Sequence, residues 1–275
     1  NFGDHDFSDG WKSNDENYGM SVYQGLKLIK SNLTTIGFDL KRFGGIGNIA
    51  YPSTFANQWI NVDETAGYIV SKQDLGKKIS LSAGIRLENN SLYGLEYVPQ
   101  AGLNYRMKTH SVLKASVSKG FRSPTISELY LFAPNQDLKP ERLWNYELGF
   151  ANEFLEERLF VELSVFMLKG DNLILRVPNP TPPPMMTRTN SGSFEHAGFE
   201  IESGFQYSQN LKLDLSYSYL HLDTPKLAAP ENQLYFGMNY RYNKFVFSLQ
   251  SNYIGGLFIA TENTEGVSEN RKENY

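Results

Sequence analysis

The chain has 275 residues, with 26 Lys+Arg against 30 Asp+Glu and a formal net charge of −4, so no broad basic surface argues for nucleic acid. It contains no Cys, which excludes disulfides and thiolate metal sites, and aromatics reach 14%, high for a water-soluble domain. No apolar run approaches the roughly 18 residues that a membrane-spanning helix needs.

In chain order, the first residues form a polar stretch, Asn1–Asn14, with no basic-then-apolar leader. Asp4, Asp6, Asp9 and Asp15 cluster there beside Gly10; oxygen ligands at such spacing suit Ca²⁺, but the pattern is not an EF-hand, and a solvated acidic loop is the expectation. The first alternating segment follows as Tyr18, Met20, Val22, Gln24, Leu26 and Leu28, with Gln24 out of keeping on an oily face. Next come Ile79, Leu81, Ala83, Ile85 and Leu87 against Ser80, Ser82, Gly84 and Arg86, then Tyr97, Pro99, Ala101, Leu103 and Tyr105. Leu113, Ala115 and Val117 repeat the pattern, as do Leu159–Met167, Phe199–Tyr207, Leu211–Tyr219, Leu234–Tyr242 and Phe245–Tyr253. The final stretch, Thr261–Tyr275, is again polar. Both polar ends read as outward loops that have been cut, so the chain is expected to be a fragment of a longer precursor.

Period-two alternation gives each segment one oily and one wet face. Such ribbons build either an antiparallel sandwich or a transmembrane barrel, and three features favour the barrel. Many segments run about 10 residues or more, which suits a tilted strand crossing a bilayer. Short turns (Lys30–Asn32, Asp74–Lys77, Lys108–His110, Glu156–Arg158, Ser208–Asn210, Asn243–Lys244) alternate with long loops (Phe43–Glu64, Ser123–Leu143, Gly170–Asn190, Leu222–Glu231), and only Asn89–Glu96 among the latter is short. Barrels keep short turns on the periplasmic side and long loops outside. Aromatics also gather at the strand ends, with Tyr105, Phe154, Tyr207, Tyr242 and Phe245 near the short turns. Tyr18, Tyr68, Tyr97, Phe121, Trp144, Tyr219 and Tyr253 lie near the long loops, as two interfacial girdles require. Lys119 and Arg42 fall on oily faces close to the outward rim, where long cations are expected to reach head-group phosphates. The expectation is an all-β, antiparallel transmembrane barrel of about twelve strands.

The register also divides individual side chains. Ser80, Ser82, Gly84, Arg86, Gly102, Asn104, Ser116, Ser118, Glu147, Glu162, Glu200, Glu202, Lys212 and Asp214 should point inward. Leu81, Leu103, Val117, Leu148, Leu163, Ile201 and Leu213 should face lipid.

Enzymatic signals are sparse. The four His (His5, His110, His196, His221) show no metal-binding spacing, there is no Gly-x-Ser-x-Gly elbow, and Gly44-Gly45-Ile46-Gly47 precedes no helix that would aim amides at a phosphate. The expectation is no catalysis, no cofactor and no metal site. Several outward loops carry rings and Met that would give a bulky chelate or macrocycle apolar contact: Tyr51, Phe55 and Trp59, then Tyr130 and Phe132, then Met185 and Met186 in Pro182–Met186. The alternative is that these side chains pack the loops against one another. His196 has wet-face parity and His221 sits at an outward strand end, and both are weighed as ligand-binding candidates against being solvated polar groups.

The stretch Lys119–Glu141 holds the most specific sequence. Phe121-Arg122-Ser123-Pro124, Glu128-Leu129-Tyr130 and Asp137-Leu138-Lys139-Pro140-Glu141, followed by Glu147-Leu148-Gly149, resemble the barrel of TonB-dependent outer-membrane receptors. Thr35–Asp39, Ser82–Arg86, and Asn190-Ser191-Gly192 before Ala197-Gly198-Phe199-Glu200 resemble its other strands, so the likeness covers nearly the whole chain. The first and third of these boxes are read as loop structure. The resemblance implies a 22-stranded barrel closed by an N-terminal plug and energised through the TonB complex, of which residues 1–275 would be a partial barrel domain. The plug and early strands would precede Asn1, and further closing strands would follow Tyr275. It implies capture of a large, scarce nutrient of the ferric siderophore, cobalamin or haem class, with lipid bilayer and lipopolysaccharide around the barrel and a surface lipoprotein as a conceivable partner. Boxes of this kind in haem receptors usually enclose a His, and none lies between Arg122 and Asp137. The alternatives are a passive outer-membrane channel or adhesin barrel and, third, a soluble propeller or sandwich.

Overall fold

The computed structural model describes residues 3–6, 12–48, 55–131, 133–190, 192–223, 228–260 and 271–275. The strands in chain order are β1 (Gly3–Asp6), β2 (Lys12–Leu26), β3 (Asn32–Gly47), β4 (Trp59–Leu75), β5 (Ile79–Asn90), β6 (Gly94–Lys108), β7 (Ser111–Arg122), β8 (Glu141–Phe154) and β9 (Leu159–Asp171). They continue with β10 (Ile174–Pro178), β11 (Met186–Asn190), β12 (Ser193–Ser208), β13 (Leu211–Leu222), β14 (Asn232–Tyr242), β15 (Phe245–Gly255), β16 (Leu257–Ala260) and β17 (Arg271–Glu273). One five-residue helix, α1 (Ile126–Tyr130), interrupts the series, and no helix is long and apolar enough to cross a membrane.

Thirteen strands form one antiparallel sheet in the order β1-β2-β3-β4-β5-β6-β7-β8-β9-β12-β13-β14-β15. Every neighbour is the next strand in sequence except across the β10–β11 hairpin, which forms its own small sheet. Omitting the four-residue β1 leaves twelve long strands, of 11 to 17 residues, as the alternation anticipates. Several exceed the apolar pattern at their outward ends, as where β12 begins at Ser193 and β13 runs on to Leu222. The ladder continues there in water, where both faces are polar and alternation carries no information.

The connections sort as expected. The turns at 76–78, 109–110, 155–158, 209–210 and 243–244 and the link at 27–31 lie at one end of the sheet. The opposite end carries the segments 48–58, 123–140, 172–192 and 223–231, with only the three-residue turn 91–93 short among them.

Cross-strand pairing separates the two predicted faces cleanly. Ser82 lies opposite Gly102, Gly102 opposite Ser116, and Ser116 opposite Glu147, all on one face. Glu162 opposes Glu202, and Glu202 opposes Ser216, on the same side. The other face runs Leu81, Leu103, Ala115, Leu148, Val165, Phe199 across six strands. Its side chains stay open to the surroundings: Val22 is 58% exposed, Leu148 49% and Leu249 53%. A continuous exposed apolar face of this size needs a lipid solvent.

Three side chains depart from the expected placement. Tyr68 belongs to the inward face, not the outward girdle, because it pairs with Gly37 and Arg86. Its ring occupies the volume that a Cβ at Gly37 would need, and the Arg86 guanidinium lies 5.7 Å over it. Lys119 does not reach outward: it is 6% exposed, with Nζ 3.6 Å from the Tyr97 ring centroid and 3.5 Å from Glu96. The β6–β7 ladder ends at Gln100–Ser118, below Pro99, which has no N–H to donate. Lys119 fills this seam, and Glu96 supplies the counter-charge that its burial requires while also accepting from Arg142 Nε at 2.9 Å. Gln24 proves to be two residues from the short-turn end of β2, at the wet interface and not at mid-membrane, and its Nε2 donates to the Gly25 carbonyl. Arg42 keeps its outward position, paired with Asp63 at 2.6 Å.

In the protein reconstituted in lipid, Leu103→Lys or Leu163→Lys should lower barrel stability by about 2–4 kcal/mol, whereas Asn104→Lys or Ser116→Lys should cost far less. Denaturant titration in lipid vesicles measures the contrast, and equal losses on both faces would remove the assignment of sides.

Candidate ligand site at the outward mouth

The long-loop end is organised by the segment following β7. Ser123-Pro124 ends the strand, since Pro supplies no ladder donor and restricts the residue before it. Thr125 then caps α1: Glu128 N donates to Thr125 Oγ1 at 3.2 Å, and Thr125 N donates to Glu128 Oε2 at 2.8 Å. Arg122 ties this turn to the start of β8, with Nε 2.6 Å from Glu141 Oε2, Nη2 3.0 Å from Glu141 Oε1 and Nη1 2.9 Å from Glu128 Oε2. Burial pushes the Glu128 carboxyl up, but the hydrogen bonds from Arg122 and Thr125 outweigh it and hold the group below its ordinary value.

The rest of the family-like box braces the loop against the β10–β11 hairpin. Leu129 and Leu138 are buried. Asp137 N donates to Asn135 Oδ1 at 2.9 Å, Asn135 Nδ2 donates to the Arg188 carbonyl at 2.8 Å, and Lys139 N donates to Asn190 Oδ1 at 2.9 Å. Asn190 Nδ2 returns a bond to the Lys139 carbonyl at 3.0 Å, and Asn172 Nδ2 reaches the Pro140 carbonyl at 3.4 Å. On the other flank Phe121 meets the Tyr93 ring edge-on at 6.1 Å, and the Tyr93 hydroxyl contacts Ser123 Oγ at 2.5 Å. Burial, opposed by the Ser123 hydrogen bond, pushes the Tyr93 hydroxyl up to about 12.

Between this braced loop and the outward ends of β2, β3 and β4 lies a cavity of 570 Å³. Asp15 and Asn17, Lys41 and Phe43, and Ile60 and Glu64 line one side; Phe55 and Gln58 lie at the rim, and Ser123–Ser127 with Leu131 close the other side. Lys41 Nζ is 3.6 Å from Glu64 and 4.5 Å above the Phe43 ring. Gly45 matters here: the Asp15 carboxylate crosses the position that a Cβ would take, so any larger residue would displace it. The Gly44–Gly47 run is thus strand backbone lining a cavity, not a phosphate loop. Rings, hydroxyls and a few charges around a space of this size suit a compact organic ligand or chelate.

Of the residues singled out by sequence, Phe55 and Tyr130 come together, their ring centroids 4.9 Å apart, joining two loops distant in the chain. Tyr51 and Phe132 lie outside the described residues, as does Asp9 of the acidic cluster. Trp59 is on the outward-facing register of β4 and donates to Asn61 Oδ1, and Met185 stands 77% exposed at the hairpin tip beside Met186. His196 has the expected inward parity but is 7% exposed, with Nδ1 3.3 Å from Asp223 and its ring 5.1 Å from Phe194. His221 pairs with Ala197 on the outward-facing side. Sequence reasoning missed Lys41, Phe43 and Glu64 as lining residues. The available signal was their inward parity within three or four residues of a long loop.

At the opposite, short-turn end, one trio among the described residues has metal-ligand spacing: His110 Nδ1 lies 3.0 Å from Glu153 and 3.6 Å from Glu157, all exposed. A hydrogen bond between the exposed imidazole and Glu153 accounts for this cluster without an ion.

Arg122→Ala should leave Glu141 without its cation and Glu128 with only Arg188 at 4.0 Å, and raise amide exchange over 123–140 by about tenfold to a hundredfold, with barrel melting little changed. Because the folded Glu128 carboxyl is held below its ordinary value, its contribution is complete above about pH 4.3 and is lost as pH falls further. Loop protection measured by exchange should fall over that acid range in the wild type and vary less in Glu128→Gln.

Residues 1–272 match the TonB dependent receptor-like, beta-barrel family. A curated relative, the iron-regulated outer membrane virulence protein of Vibrio cholerae, is 26% identical over 182 residues, covering 59% of this chain and 28% of its own length. Among solved structures, the siderophore receptor PirA of Pseudomonas aeruginosa superposes with a TM-score of 0.78 at 19% identity, covering 89% of this chain and 49% of that one. The FrpB iron transporter of Neisseria meningitidis gives 0.74 at 16%, covering 96% of this chain and 47% of that one. The copper transporter OprC gives 0.71 at 15%, with 89% and 43% covered. This chain therefore spans about half the length of these solved structures and less of the curated relative. The alternating strands, the sorted loops and the family match over nearly the full length agree: the chain belongs to the TonB-dependent receptor-like β-barrel family and resides in the bacterial outer membrane.

Proposed function

We propose that this chain is the larger part of the barrel of an outer-membrane receptor that captures a bulky metal chelate and imports it with TonB-derived energy. The observation that carries the reading is the 570 Å³ cavity at the outward mouth, closed by a loop that Arg122, Glu128 and Glu141 hold in place. A capture site needs such pre-organisation, because ordering a loop on binding subtracts from affinity. Iron is the favoured metal, since the curated relative is described as iron-regulated and two of the structural relatives as a siderophore receptor and an iron transporter. Cobalamin and haem remain in the ligand class, although no His stands between Arg122 and Asp137.

In this reading residues 1–275 form a partial barrel domain of a 22-stranded barrel around a plug. Twelve long strands in a chain covering 43–49% of its structural relatives fit that size. The TonB complex would act through the plug, and lipid and lipopolysaccharide would surround the apolar face. Phe55 and Tyr130 are the aromatic candidates for direct ligand contact, and Trp59, Met185, Met186, His196 and His221, with Tyr51 and Phe132 from outside the described residues, stay in the candidate set.

Uptake of radioiron chelates by cells expressing the full-length receptor tests this directly. Accumulation should require an intact receptor and should fall to background without TonB or with a protonophore. Uptake that survives both treatments, together with single-channel conductance of the purified protein, would establish a passive channel instead.

A further inference from the structure

The charge of the cavity narrows the cargo, if the receptor reading holds. Its lining brings two carboxylates inward, those of Asp15 and Glu64, against one ammonium, that of Lys41, while the Glu16 side chain lies on the opposite face with Tyr18. Lys41 is already spent on Glu64, 3.6 Å away. Asp15 has a hydroxyl donor, Ser13 Oγ at 3.3 Å, and no ion pair among the described residues. The nearest strong cation on the closing loop, Arg122, is engaged by two carboxylates of its own. Among the described residues lining the cavity, no cation is left to neutralise an anionic ligand.

The same sign continues along the inward face. Among the described residues, Glu147 has a hydroxyl partner, Ser164 at 3.3 Å, and no ion pair, and Glu200 and Glu202 have no ion pair. Glu202 stands directly opposite Glu162, whose one cation is Lys114. Glu200, Glu202 and Asp214 line a second groove of 570 Å³ beside hydroxyls and amides. Lys212 compensates Asp214 at 2.8 Å, but Glu147, Glu200 and Glu202 keep no ion pair among the described residues, so this stretch of the face holds residual negative potential.

We infer that the outward cavity selects an iron chelate with no net negative charge, of the ferric trihydroxamate kind, and rejects polyanionic chelates such as ferric tricatecholates. A polyanion entering this cavity meets the uncompensated Asp15 carboxylate and the Lys41-paired Glu64 in a partly desolvated space, whereas a neutral chelate with carbonyl oxygens and apolar edges finds hydroxyls, amides and rings. Electrostatic exclusion of this kind sets specificity without requiring tight contacts.

The experiment uses the purified full-length receptor and a panel of neutral ferric trihydroxamates beside a ferric tricatecholate of similar girth. Binding is read by quenching of intrinsic fluorescence and by retained radioiron. The expected result is that at least one trihydroxamate binds about a hundredfold tighter than the tricatecholate or more. Raising ionic strength in the wild type should narrow that gap by screening. Asp15→Asn with Glu64→Gln should narrow it further by strengthening tricatecholate binding about tenfold. Equal or tighter binding of the tricatecholate overturns the charge inference while leaving the receptor reading intact. Retention of neither chelate class overturns both. A gap unaffected by salt assigns the discrimination to shape and overturns the electrostatic account even if the double variant fails to fold.

Discussion

Everything in this chain depends on satisfying backbone hydrogen bonds in a solvent that offers none. Within hydrocarbon each unpaired N–H or C=O costs several kcal/mol, so a strand is admissible only when flanked by partners along its length. The strands from β3 to β14 in the main sheet meet this demand on both edges, with ladders such as β3–β4 paired over fifteen residues from Asn32–Gln73 to Ile46–Trp59. The apolar stripe follows from it: once the ladder is complete, alternate side chains must face lipid, and those are Leu, Ile, Val and Phe.

Charges are then confined to places where their cost is met. Inside, Arg86 joins Asp39 and Glu88 across neighbouring strands, and Lys114 reaches Glu162 two strands away. At the outward seam Glu96 is almost completely buried and serves both Arg142 and Lys119. Breaking one partner of such a group leaves a buried charge without compensation, which costs more than the intact group contributes. These networks pin strand ends where the ladder thins, below Pro99 in particular.

The mouth is built by a different economy. Its loops lie in water and owe their order to local chemistry: a proline stop, a capping box and a run of Asn side chains that substitute for missing backbone partners. Arg122 is the node, since a planar guanidinium can hold Glu141 across the strand pair and Glu128 in the helix at once. The cavity exists because this loop is held away from the strand ends of β2–β4, with Phe55 and Tyr130 spanning the gap.

Sequence alone determined the architecture. Alternation is a local property written into each strand, and turn lengths are countable, so strand number, register, sidedness and the membrane setting were all readable from Ile79–Leu87 and its counterparts. The family-like boxes were equally plain as loop structure, and Thr125-x-x-Glu128 carried a legible capping signal for α1. Tertiary structure decided whatever depends on two segments meeting. Tyr68 turned inward because Gly37 on the next strand left room for its ring, and Lys119 was buried because Glu96 waited across the seam. The β10–β11 hairpin escaped notice because its strands are five residues each, too short for periodicity to register. The cavity lining joins Asp15, Lys41, Glu64 and Ser123, separated by up to a hundred residues, and no local pattern records which outward loops fold toward one another.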